Sequence, residues 1–190
     1  MSDRRALARG DRVVLRSADD ADEAEFLERS RASRSLHRPW RAPIDTPEGF
    51  HALLRRSQDL DVETLLVCRR QDGAIAGVFD LSQIFRGPFD NAYLGYYAFV
   101  PFDGQGYMRE GLGLTVRHAF GPMRLHRLQA NIQPGNHRSI ALASAGGFRR
   151  EGFSPRYLKI GGRWCDHEMW AITAEDVRAR RSGAPPTPPR

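Results

Sequence analysis

Apolar and polar positions along the chain change period several times, and the changes mark out its elements. Residues 12–16 (RVVLR), Thr64 to Arg69 (TLLVCR), Ala74 to Ser82 and Leu94 to Val100 are short apolar runs that predict strands, and His126 to Gln133 alternates as a strand does. Asp19 and Asp20 are N-cap candidates for a helix to about Arg34, with Ala24, Phe26 and Leu27 among its apolar positions. Thr46-Pro47-Glu48 opens a second helix to about Leu60, with Pro47 at its first position. Between the two helices, Pro39, Trp40, Pro43 and Pro47 predict an irregular loop over residues 35–47. Gln71-Asp72-Gly73 is a hairpin turn. Asn136 caps a helix to Gly146-Gly147, and two strands, Phe148 to Lys159 and Ile160 to Thr173, follow around Gly161-Gly162. The order is strand, two helices, three strands, helix, strand, helix, two strands. It predicts a mixed α/β domain on one sheet over residues 1–179, followed by a disordered proline-rich tail, RRSGAPPTPPR, over 180–190.

The stretch from Leu94 to Pro122 carries the chemistry. Pro101 cannot donate to a ladder and ends the strand, Gly104 and Gly106 form the turn, and Gly121-Pro122 stops the helix. A glycine turn entering a helix leaves several N–H groups aimed one way at the positive end of the helix dipole, a seat for phosphate. A dinucleotide fingerprint is absent, because Arg109 replaces the third glycine. A P-loop is excluded too: Leu112 and Gly113 follow Gly111, and Lys159 is the chain's one lysine. What remains is a GxG turn that holds a pyrophosphate with backbone amides, or else a plain strand–helix turn.

Composition narrows the class further. The 190 residues are 41% hydrophobic, enough for one globular core, and no apolar run reaches membrane-spanning length. The charged start lacks the apolar stretch of a signal peptide, and two cysteines, Cys68 and Cys165, read as reduced thiols, so a cytoplasmic protein is expected. A net charge of +6 favours an anionic partner such as a phosphorylated cofactor or RNA. No cationic run with interleaved aromatics supports a nucleic-acid face, and neither DNA nor a membrane is an expected partner. The six histidines show no metal-ligand spacing, and no GxSxG elbow is present, so no metal and no acyl-serine are expected.

The element order, the GxG turn and the Asn-capped helix together resemble the GNAT acetyltransferase fold, a single mixed, mostly antiparallel sheet flanked by helices. The blocks LSQIFRGPFDNAYLGY, PFDGQGYMREGL, HRLQANIQPGNHRS and GGFRREGFSPRYLKIGGRWCDH resemble the Rim-type ribosomal-protein alanine N-acetyltransferases, above all the type acting on ribosomal protein S5. Arg38-Pro39-Trp40 resembles that group's Pro-Trp loop. The resemblance implies acetyl-CoA as cosubstrate, with pantetheine pairing along Ala98, Phe99 and Val100. It places the pyrophosphate on Gly104, Gln105, Gly106, Tyr107, Met108 and Arg109, and puts Asn136 and Ser139 against the cofactor. It also implies the N-terminus of a ribosomal protein, or another peptide amine, as acceptor, with ribosome association and a homodimer left open.

Some positions depart from that pattern. Asp103 stands where Gln or Arg is usual, and a carboxylate beside pyrophosphate is expected to turn outward or cap the helix. Met108 replaces a small residue and is expected to crowd the loop. The family's tyrosine acid falls at Ala143 and the glutamate base of related enzymes at Leu158, leaving Ser139 as candidate proton donor to the thiolate. A backbone N–H near Phe99 is the candidate oxyanion contact. Glu110 is a candidate base or a helix-end charge, and Asp166-His167 reads as a strand-end pair ordering a loop. Arg38, Trp40, Tyr96, Tyr97 and Tyr157 are acceptor-side candidates, with core packing as the alternative for the aromatics. N-terminal acetylation leads. Acetylation of a small amine, or a non-catalytic ribosome-associated factor of the same fold, are the alternatives.

Overall fold

The computed structural model describes residues 6–182. Eight strands form one sheet in the order β1-β2-β3-β4-β5-β6-β8-β7. They are β1 (Ala6–Arg9), β2 (Val13–Ser17), β3 (Glu63–Arg69), β4 (Ile75–Phe85), β5 (Asn91–Ala98), β6 (Arg127–Ile132), β7 (Arg149–Ile160) and β8 (Arg163–Thr173). The helices are α1 (Glu23–Ala32), α2 (Arg34–His37), α3 (Pro47–Arg56), α4 (Tyr107–Phe120), α5 (His137–Gly146) and α6 (Ala174–Ser182). All neighbouring strands run antiparallel except β5 and β6.

The caps act where the sequence puts them. Asp19 accepts from the Ala21 amide ahead of α1, Thr46 from Gly49 at the start of α3, and Asn136 from Ser139 at the start of α5. Three features exceed the sequence reading. β1 is an additional edge strand, α2 occupies the first residues of the expected loop, and α6 carries the fold to Ser182 instead of stopping at residue 179. The remaining tail, 183–190, lies outside the described residues.

Both faces of the β2–β5 half are covered, which is why β3 is buried at five successive positions rather than alternating. One face packs Leu65, Val67, Phe79, Leu94 and Leu128 against Leu112 and Val116 of α4 and Ala143 of α5. The opposite face packs Leu66, Val78 and Phe99 against Phe26 of α1 and Phe50 of α3. A buried bidentate pair, Arg16 to Asp22 at 2.6 and 2.7 Å, locks β2 to the start of α1. Burial works against the Arg16 charge, but the Asp22 carboxylate outweighs it and raises the guanidinium pKa. Nearby, burial pushes the free Cys68 thiol up to about 11, so it stays neutral. No helix among the described residues is long and apolar enough to cross a membrane.

Candidate active site

The sheet is split at the one parallel junction among the described residues. β5 and β6 pair from Asn91–Arg127 to Tyr93–Gln129 and then separate, β5 continuing along β4 to Ala98 and β6 along β8 to Ile132. Beyond Tyr93 one edge of β5 therefore has no strand beside it among the described residues. Which amides face that gap follows from ladder parity. The Phe99 N–H donates to the Ala76 carbonyl at 2.9 Å, so Phe99 and Tyr97 turn their amides toward β4, and Ala98 and Tyr96 turn theirs into the split.

The GxG turn lies at the end of this gap. Gly104 and Gly106 hold φ of +72° and +86°, the left-handed region that favours glycine, and Gly106 is the N-cap of α4. Among the described residues, the amides of Gly104, Gln105 and Gly106 have no hydrogen-bond partner, and those of Tyr107, Met108 and Arg109 are the free first-turn donors of α4. Arg12, in the β1–β2 turn, holds the loop in place. Its guanidinium donates to the Gln105 carbonyl at 3.0 Å and lies over the Tyr107 ring at 4.2 Å. Glu110 accepts from the Arg12 and Val13 amides at 2.9 and 3.3 Å, so it ties that turn to α4 and does not face the cleft as a base.

A cavity of about 440 Å³ fills the split. Ala98, Gly104, Gly106, Met108, Arg109, Asn136 and Ser139 line it, as do Trp40, Tyr96 and Tyr97. Gln105 and Tyr107 border the turn through their backbones, because the Gln105 amide group donates to the Pro101 carbonyl and the Tyr107 side chain is buried. Arg38 lies in an adjoining groove with Trp40, Val100 and Arg138.

Several expectations are corrected by this geometry. Phe99 supplies no oxyanion contact: its amide belongs to the β4 ladder and its ring is fully buried. The Val100 amide is also taken, donating to the buried Ser33 hydroxyl at 2.9 Å. Of the three residues expected to pair with pantetheine, Ala98 alone keeps an amide directed into the gap. Tyr96 turns toward α5, its hydroxyl donating to the Ser139 carbonyl at 2.7 Å, and burial raises its pKa and keeps it protonated. Tyr157 does not line the cavity; it lies on β7, its hydroxyl accepting from Asn131 at 3.2 Å. Asp103 neither turns outward nor caps α4, but pairs with Arg138 of α5 at 3.1 Å across the cavity mouth. Met108 does not crowd the turn, because its sulfur packs into the space left by Gly77, where a Cβ would approach it to 2.3 Å.

Other contributors were not visible in the sequence. His37 of α2 is buried beside Tyr97 and Phe99, with Nε2 donating to the Ala98 carbonyl at 2.8 Å. Burial lowers its pKa, so it is neutral, and it takes the one β5 carbonyl nearest the turn. Arg41 stacks over Tyr97, 3.5 Å from the ring centroid. The loop carrying it crosses the split: Gln133 of the β6 end donates to the Trp40 carbonyl at 3.1 Å, and the Trp40 ring lies over Gly135. No cluster of three or more His, Cys, Asp or Glu suited to a metal occurs among the described residues.

These residues fit acetyl-CoA. The two positive-φ glycines and the free amides of the turn suit a pyrophosphate, and the unpaired edge of β5 beyond Tyr93 suits the amide groups of pantetheine. Residues 12–149 match the family model for the acetyltransferase (GNAT) domain. The [ribosomal protein uS5]-alanine N-acetyltransferase of Escherichia coli K12 is 31% identical over 174 residues, covering 87% of this chain and 90% of that one. The crystal structure of the ribosomal-protein-S5-alanine acetyltransferase of Vibrio fischeri superposes with a TM-score of 0.78 at 26% identity, over 89% of this chain and 97% of that one. Mycobacterium smegmatis RimJ, in complex with CoA-disulfide, gives a TM-score of 0.78 at 26% identity over 90% and 89%. With the split sheet, the phosphate turn and a family match across most of its length, this chain belongs to the GNAT acetyltransferase family and is an acetyl-CoA-dependent N-acetyltransferase.

Proposed function

We propose that the chain acetylates the N-terminal α-amine of a protein beginning with alanine, of the ribosomal protein S5 kind. The observation that carries this reading is the charge of the cleft. Arg41, Arg109 and Arg138 line it, and its one carboxylate, Asp103, is paired with Arg138. A polycationic small amine would meet net repulsion there, whereas an N-terminus carries one charge that it loses on reaction. An extended peptide also suits the face of β5 opposite the α4–α5 core, where Gly95 is exposed and carries no side chain. The similarity to the E. coli uS5-alanine enzyme over 87% of the chain supports the same class of acceptor.

The reaction needs a neutral amine, a donor to the developing oxyanion and a proton for the departing thiolate. The Ala98 amide takes the oxyanion role in this reading, since it alone of the three end-of-strand amides points into the split. Ser139 serves as proton donor: its amide caps onto Asn136 at 3.2 Å while its side chain borders the cavity. An α-amine has a reference pKa near ~8 against about 10.4 for lysine, so it needs less help to become nucleophilic. The test offers alanine-starting peptides carrying an internal lysine, with the α-amine free or blocked, and locates the acetyl group by mass spectrometry. Acetyl on the free N-terminus alone is expected. Acetyl on lysine, or equal turnover of the blocked peptide, would overturn the reading.

A further inference from the structure

Amine acetylation has to remove a proton from the acceptor, and the carboxylates considered for that role are otherwise engaged, Asp103 of the cavity lining by Arg138. Glu110 accepts the Arg12 and Val13 amides. Asp80 accepts the Thr64 hydroxyl at 2.9 Å, and Asp166 the Arg156 amide at 2.7 Å. Asp166 therefore orders the bulge of β7, as the sequence suggested for the pair, but its neighbour His167 points the other way and has a different environment.

Leu128, Ala130 and Ile132 of β6 face the α4–α5 core, so Gln129 and Asn131 face the opposite side, which also carries Gly95 and Tyr97 of β5. Asn131 is in register with Met169, which puts Met169 and, two residues along, His167 on that same face. The residues form a connected line. Tyr93, the last β5 residue paired with β6, adjoins the Tyr157 phenol. Tyr157 accepts from Asn131, and its ring lies 5.7 Å from the His167 ring. The line runs from the edge of the split to the imidazole.

The His167 tautomer is set by its surroundings. Nδ1 lies 3.0 Å from the Cys165 carbonyl, which can only accept, so Nδ1 carries the hydrogen and Nε2 the lone pair. The residue is 2% exposed, which fixes the ring. Nε2 has no hydrogen-bond partner among the described residues. A held imidazole whose Nε2 lone pair is uncommitted, on the sheet face that carries Asn131, is the arrangement of a proton acceptor.

We propose that His167 is the general base, its Nε2 taking the proton of the acceptor ammonium directly or through one water. This rests on the proposed peptide acceptor. The ammonium gives its first proton to Nε2, and the freed lone pair forms the C–N bond at the thioester carbonyl. The C–S bond then breaks as the carbonyl re-forms. The second nitrogen proton passes to the thiolate by way of Ser139, and the imidazolium returns its proton to water. Sulfur leaves as thiol, nitrogen becomes an amide, and one proton is released.

His167→Asn keeps a donor for the Cys165 carbonyl and removes the Nε2 lone pair. With acetyl-CoA and a free alanine-starting peptide, kcat is expected to fall by about 10²-fold or more, with acetyl-CoA affinity and melting temperature unchanged. His167→Ala should recover turnover on addition of imidazole, which a packing role would not produce. Independently of turnover, ¹⁵N NMR of the unaltered protein should find neutral His167 as the Nδ1–H tautomer. A kcat for His167→Asn within about threefold of the unaltered protein, or an Nε2–H tautomer, would overturn the proposal. Failure of the unaltered protein on every free N-terminus would refute the peptide reading alone, and the tautomer would still decide the role of His167.

Discussion

Replacing Gly106 separates a conformational requirement from a steric one. Gly106 holds φ of +86°, and a Cβ there would meet only the Arg12 guanidinium nitrogen at 3.6 Å, an ordinary contact. A side chain therefore fits in space but not in backbone conformation. Holding a β-branched residue in this region costs about 1–3 kcal/mol. If the turn keeps its shape, that strain is common to the free and bound protein and appears only as lost stability. If the turn relaxes, at least two amides swing away from the phosphate site. At about 1.5–3 kcal/mol for each hydrogen bond to a charged group, the loss is roughly 3–6 kcal/mol, or about 10²–10⁴-fold in Kd for CoA. Isothermal titration of Gly106→Asn, Gly106→Ala and Gly106→Val should give a graded weakening in that order, because asparagine tolerates the left-handed region best. Circular dichroism should show an intact fold in all three. A Gly106→Val protein that binds CoA within about threefold of the unaltered chain and is also no less stable to denaturant would refute this reasoning, since the strain must appear in one or the other.

Ser139→Ala keeps the backbone N–H that Asn136 caps, so acetyl-CoA affinity should hold while kcat falls by about 10²-fold or more, measured as CoA release. Gly77→Ala brings a Cβ to 2.3 Å from the Met108 sulfur and 2.7 Å from the Tyr97 carbonyl, and should destabilise the fold. The expected cost is about 1–3 kcal/mol by denaturant titration, partly recovered in the Gly77→Ala/Met108→Ala pair. Ser33→Ala leaves the Val100 amide without its acceptor and should cost about 1–3 kcal/mol in the same assay. Burial lowers the His37 pKa in the fold, so the unfolded chain binds a proton first as pH falls. Stability from this group is complete above its ordinary value of 6.5 and declines as pH drops from there through the folded value. His37→Gln should flatten that part of a plot of unfolding free energy against pH.

The sequence carried the features that depend on local chemistry. The Asp19, Thr46 and Asn136 caps, the Gly104 and Gly106 turn and the hairpin at Gly161-Gly162 act through residues within one turn of themselves, so they can be read directly. What depends on register could not be read. Whether the Phe99 or the Ala98 amide enters the split is a matter of ladder parity against Ala76, and one step of parity reverses the answer. The same parity sends Tyr96 to α5 and Tyr97 to Arg41. Long-range partners were equally out of reach. Glu110 looked like a free carboxylate on a helix and is claimed by amides 97 and 98 positions away. His167 looked like a strand-end residue because the β7 bulge between Ser154 and Leu158, which sets its neighbours, leaves no periodic signal. β1 was missed because four residues amid arginines carry too little alternation. α6 did leave a mark, a Thr173-x-x-Asp176 cap in which Asp176 accepts from the Thr173 amide at 2.8 Å, and the proline tail beyond it obscured that signal.

The claim on which the rest depends is that the cofactor enters the split with its phosphates on the turn. Titrating ¹⁵N-labelled protein with CoA while following backbone amides tests it residue by residue. The account predicts that Ala98, Gly104, Gln105, Gly106, Tyr107, Met108 and Arg109 move first and furthest, with Tyr157 and His167 nearly still until a peptide is added. Amides of the turn that stay fixed while CoA binds elsewhere would contradict it.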